Sequence, residues 1–266
     1  MRGTVSDEIN WDRIRDLAQR VLEHGEPLEL SGNIQSLLLK SAREVAISDQ
    51  DAEEAVRSLS TATTLLREVR QRIRDGSNRL GKAQDRVDEL QRKGDLDGAQ
   101  QVMRDVLAVE VVPLYRKIAE ILLDELTGLS EVRATGRLKA DLPDRPQLAV
   151  LIQRIQQGHA LELTDDLRAL LRRTAPTAAL SEAETEDGLK SPEGAEALMG
   201  MILSRFQKGE RRFLRAMYRM VSLRDAGDVE GARQQMREVL AVEVVPQYRQ
   251  MAEEQLRGLD RPSLES

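Results

Sequence analysis

Apolar residues between Val56 and Leu90 recur in steps of mostly three and four, through Leu59, Leu66, Val69, Ile73 and Gly76. That spacing is the apolar stripe of an amphipathic helix. Ahead of it Ser48, followed by Asp49, Asp51 and Glu53, supplies a hydroxyl to cap orphan amides and negative charge for the positive end of the helix dipole. The pattern therefore predicts one helix from Ser48 to about Arg92, roughly 44 residues and about 66 Å long. "KGD" at 93–95 closes it, because Gly94 can turn left-handed and Asp95 can cap the next helix. A second stripe, with Ala99, Met103, Val106, Val111 and Leu122 among its members, returns over Leu96–Leu126 as an antiparallel partner. Two shorter helices come before this hairpin: Trp11 to His24, stopping at Gly25, and about Ile34 to Val45.

Displaced by 133 residues, the chain falls on itself. "GDLDGAQQVMRDVLAVEVVPLYRKIAE" (94–120) meets "GDVEGARQQMREVLAVEVVPQYRQMAE" (227–253) with 19 of 27 positions identical. Without a gap, the same displacement brings Gly25 onto Gly158, Ser48 onto Ser181 and Gly76 onto Gly209. Two domains are expected, at 8–127 and 142–260, with a linker at 128–141. The stretch "TGRLKADLPDRP" (135–146) carries the glycine, two prolines and mixed charge of such a connection. The second copy departs at "KSPEG" (190–194), where Pro192 must break the long helix or start it afresh. The fold class predicted is all-α: two tandem helical domains, each a long antiparallel hairpin kinked at proline, with short helices in front.

"VLAVEVVP" stands in both copies, at 106–113 and 239–246, followed by Tyr115-Arg116 and Tyr248-Arg249. If the hairpin turns at Gly94, Pro113 lies opposite Gly76, and Pro246 opposite Gly209. A proline inside a helix costs about 3 kcal/mol and an interior glycine about 1 kcal/mol more, so the pairing needs a compensating gain. A bent helix that approaches a partner without a side chain offers one. The same register sets Glu110 near Arg79 and Glu243 near Arg212, and it predicts an ion pair across each hairpin. The candidate kink or interaction positions are therefore Gly76, Arg79, Glu110, Pro113 and Tyr115, with Gly209, Arg212, Glu243, Pro246 and Tyr248 in the second copy.

Composition narrows the chemistry. Aromatics are only 2% of 266 residues against 40% apolar overall, so the cores are built from aliphatic side chains, as in helical bundles. Cysteine is absent, which removes disulfides and thiolate chemistry. No apolar run reaches the ~18 residues that span a bilayer, and the charged start resembles no signal peptide, so a cytoplasmic protein without a membrane is expected. His24 and His159 sit alone at glycine turns, and neither completes a metal site. Phosphate loops and nucleophile motifs are missing as well, so no catalytic, cofactor-binding or metal residue is expected. The basic run "RFQKGERRFLRAMYRM" (205–220) is read as a solvated face that Asp228, Glu230, Glu238 and Glu243 neutralise, hence no nucleic-acid partner.

"AISDQDAEEAV", "LLREVRQRIRDGSNRL" and "GDLDGAQQVMRDVLAVEVVPLYRKIAE" resemble the DUSAM domain of bacterial proteins without assigned function. The resemblance covers nearly all of the first copy and, in the second, the part from about Ala197 onward and around "LEL". It implies no activity or ligand. The function expected is a non-enzymatic protein-interaction or regulatory module, acting on a protein partner or by self-association. The alternative is a small-ligand sensor with a pocket at the Gly/Pro kink.

Overall fold

The computed structural model describes residues 9–260. Residue 8, the expected start of the first domain, and the first eight residues of the charged start lie outside them. The described residues hold twelve α-helices and no strand. The chain divides after Gly128 into two compact units.

In the first unit, α1 (Asp12–Ala18) runs on through a π-turn to Glu23, and Gly25 follows with a left-handed φ of 73°. Helix α2 (Gly32–Glu44) is capped by Ser31, and α3 (Asp49–Ala55) by Ser48, whose hydroxyl oxygen accepts from Asp51 N. The long helix is α4 (Leu59–Arg92), and α5 (Leu96–Val109) folds back on it. The turn between them uses Gly94 at φ 78°, while the Asp95 carboxylate accepts from Gly98 N at 2.8 Å. Leu66, Leu96 and Met103 are fully buried, and α1, α2 and α3 pack on α4. Helix α6 (Pro113–Thr135) follows.

Two expectations need correction. The predicted 44-residue helix is two helices, because Val56–Ser58 leaves the helical path. Ser58 is extended (φ −137°, ψ 153°), caps Thr61 N, and the Thr61 hydroxyl donates to Ala55 O at 2.6 Å. Leu59, counted in the stripe, is 56% exposed, and the buried positions of this first stretch are Ala62 and Leu65. The returning helix is also divided. It ends at Val109, Glu110 is extended (ψ 130°), and Pro113 starts α6. Pro113 therefore sits where its missing N–H is no loss, and the helix-interior penalty does not arise.

The second unit repeats the elements at the same displacement. Helices α7 (Asp144–Gln156) and α8 (Asp165–Thr174) lead to α9 (Glu182–Gly188), capped by a reciprocal Ser181–Glu184 box. Helix α10 (Pro192–Asp225), α11 (Val229–Val242) and α12 (Pro246–Asp260) complete it. Long helices α4 and α10 both have 34 residues. "KSPEG" is thus no departure: Pro192 occupies the place of Leu59, and both copies break there. Residues 128–135, assigned to the linker, continue α6, and the stretch after them is tied down by Gln147. Its side chain accepts from Lys139 N and donates to Lys139 O and Leu142 O.

Candidate functional site

The doubled "VEVVP" forms the same built feature in each unit. Glu110 follows the last residue of α5, and its carboxylate is buried. Oε1 accepts from Val111 N at 3.0 Å and Val112 N at 2.8 Å, and Oε2 is paired with Arg79 Nη1 from α4. In the second unit Glu243 accepts from Val244 N and Val245 N at 3.0 and 2.8 Å and pairs with Arg212 Nη1. The glutamate thus satisfies amides that the break in the helix leaves exposed, and Arg79 or Arg212 balances the charge that this buries.

Proline is not the group that meets the glycine. Pro113 and Pro246 are exposed. The space above Gly76 is filled by the Tyr115 ring, and the ring of Tyr248 fills that above Gly209. The Tyr115 hydroxyl donates to Ile73 O at 3.0 Å, and its ring meets Trp11 edge-on at 5.5 Å. Trp11 in turn donates to Glu44 at 2.9 Å. In the second unit Phe206 and Phe213, both 6.4 Å from Tyr248, stand in for the tryptophan. Burial pushes both phenols above the ordinary tyrosine value of 10.0.

Two residues of the break were not singled out. Arg116 Nη1 donates to Leu107 O and Glu110 O at 2.7 and 2.8 Å, and Arg249 makes the same bonds to Leu240 O and Glu243 O. They close carbonyls left open at the end of α5 and α11. The repeated Tyr-Arg was the available signal. With the carboxylate, the two amides after it and the carbonyls of residues 107 and 110 engaged, and their counterparts in the second unit likewise, the segment is a staple. Its unspent chemistry is apolar: Val109 and Val111 are 59% and 52% exposed, Val242 and Val244 58% and 54%.

A shallow groove of about 460 Å³ runs past Gly76, Arg79 and Glu110. Among the described residues no group of three His, Cys, Asp or Glu could hold a metal ion, and no helix is long and apolar enough to cross a membrane.

The basic run behaves differently from its expected neutralisation. Asp228 caps Gly231, Glu230 is engaged by Arg233 and Arg237 of its own helix, and Glu238 accepts from Gln234. Only Glu243 reaches across, to Arg212.

No curated protein and no solved structure matches the chain. A family model described as "Protein of unknown function (DUF2379)" matches residues 9–126 and again 143–259. The two matched segments coincide with the internal repeat, and together they take in most of the sequence. The chain therefore belongs to the DUF2379 family, as a tandem protein with two copies of its domain.

Proposed function

We propose that the protein is a non-enzymatic interaction or regulatory module whose contact points are the two helix breaks. One observation carries this: in each domain the valines flanking the buried glutamate are more than half exposed, on a backbone held by that glutamate. A lone exposed valine is ordinary on a protein surface. Paired valines on a segment without backbone freedom present an apolar knob that loses little entropy when a partner covers it. The partner is another protein or a second copy of the chain, and the setting is the cytoplasm expected from the sequence. Membership of the DUSAM domain is part of the same proposal and rests on the stretches quoted for it.

The small-ligand sensor has weaker support. The groove beside Gly76 is its one favourable feature, but both Glu110 oxygens are occupied and Tyr115 fills the space that a kink pocket would need.

Light scattering over a concentration series, followed by pull-down, tests the proposal with the variants Val109→Ser/Val111→Ser and Val242→Ser/Val244→Ser. Association weakened by both pairs, with melting temperatures unchanged, supports it. Association indifferent to all four valines, or a metabolite that raises the melting temperature instead, counts against it.

A further inference from the structure

Lys208, Arg211, Arg212, Arg215 and Arg219 of α10 line one wall of a groove of about 430 Å³. Their spacing places them along a common side of the helix, over roughly 17 Å of its axis. Arg212 is held by Glu243. Among the described residues the other four form no ion pair or hydrogen bond. Like charges at this spacing repel one another, so the cluster is a local cost to the helix that the Arg212–Glu243 pair relieves only in part.

The first domain lacks this wall. Its matching positions are Asp75, Asn78, Arg79, Lys82 and Arg86, and Arg86 is engaged by Glu89, where the second domain has Ser222. The opposite wall comes from one face of α11, through Gln235, Glu238 and Val242. Buried Ala216 and Val239 lie at the base.

We infer that this groove takes an acidic, amphipathic segment of a partner protein, its carboxylates on the free guanidinium groups and its apolar side chains against the exposed Val242. The inference rests on the interaction reading above and names the partner's chemistry for the second domain. Guanidinium forks match carboxylates in two-point geometry. A nucleic acid fits less well: no aromatic ring lines the groove for a base to stack on. The apolar base also has no role in holding a phosphate chain.

The probes are a labelled helical peptide of Glu and Leu with leucine along one face, polyglutamate, and an oligothymidylate, read by fluorescence anisotropy on the full chain. The Glu/Leu peptide should bind most tightly, and added salt should weaken it. Arg211→Gln/Arg215→Gln should reduce that affinity roughly tenfold, while Lys82→Gln in the first domain leaves it unchanged. Val242→Ser should reduce it several-fold. Because the arginines are free, the charge variant should melt at or above the parent temperature; a lower melting temperature would reveal a structural role and count against the inference. Equal or tighter binding of oligothymidylate makes the groove a nucleic-acid site and overturns it. Equal binding of polyglutamate, with Val242→Ser silent, overturns the amphipathic partner. If the valine variants lose association while Arg211→Gln/Arg215→Gln keeps the peptide, this inference fails and the interaction reading stands. If none of these variants changes association or peptide binding, both fail.

Discussion

A β-carbon on Gly76 would come within 2.7 Å of Cε2 of Tyr115, so the long helix and α6 touch only because that carbon is absent. The same holds for Gly209 and Tyr248, at 2.8 Å. Gly76→Ala must displace a buried ring whose hydroxyl is bonded to Ile73 O. Overpacking of this kind costs about 1–3 kcal/mol, against a gain of about 1 kcal/mol from replacing a helical glycine. The expected outcome is a net loss of up to about 2 kcal/mol in urea unfolding. Gly81, in the same helix, has nothing within 4 Å of its missing β-carbon, and Gly81→Ala should stabilise by up to about 1 kcal/mol. Two alanines that act alike would show that ring contact does not explain Gly76.

What the sequence disclosed and what it hid divide along a physical line. The stripe from Leu66 to Leu90, the turn at Gly94 and the register that sets Arg79 beside Glu110 all follow from periodicity and turn chemistry, which are local. Both helix breaks escaped because the residues around them keep helical spacing. Val56 and Leu59 fit the stripe that continues through Leu66, and Val106 runs into Val109 without a polar interruption. The break at Glu110 depends on a carboxylate accepting two amides just beyond it, a choice that only the folded backbone displays. Pro192 did mark the earlier break, but only in the second copy, where it read as divergence. The role of Arg116 was hidden for a different reason: its partners are carbonyls, which have no signature in a sequence.

Glu110 is the staple of its break, and an isosteric amide tests this most cleanly. Glu110→Gln leaves an NH₂ facing either Arg79 or the amides of Val111 and Val112, all of them donors. One buried polar group then goes unsatisfied, and stability should fall by about 2–3 kcal/mol in equilibrium denaturation. Arg79→Met should cost about 1–2 kcal/mol, since the arginine is partly exposed and its pairing is screened. The double variant should lose less than the sum of the two, because the sites share one interaction. A loss under about 0.5 kcal/mol for Glu110→Gln would mean that water already serves these amides.

Alkaline pH should reveal the buried phenols. Tyr115 and Tyr248 both hold their protons above 10.0 when folded, through burial. In the unfolded chain they ionise near that value, so above it the folded state retains protons that the unfolded state has lost. Their contribution is therefore fully present below about pH 10 and declines as pH rises toward the folded pKa. Urea unfolding between about pH 9 and pH 11 should show a decline for the parent protein that is shallower in Tyr115→Phe. The variant should also start lower, having lost its bond to Ile73 O. Parallel declines in the two proteins would place the alkaline loss elsewhere.

The break before the long helix leads to an unusual expectation, that a proline can be added to a helical protein without harm. Ser191 ahead of Pro192 has φ −145° and ψ 160°, and Ser58 ahead of Leu59 has φ −137° and ψ 153°. Both lie in the region that a residue before proline prefers. Leu59 is the first residue of α4 and mostly exposed, so proline there removes no intrahelical hydrogen bond and little apolar contact. Leu59→Pro should be neutral or stabilise by up to about 1 kcal/mol, through the smaller freedom of the unfolded chain. Gln71→Pro, at an exposed position inside the same helix, should cost about 3 kcal/mol or more. If the two prolines proved equally damaging in thermal unfolding, the chain would be running helically through Val56–Ser58, and the shared break of the two domains would not exist.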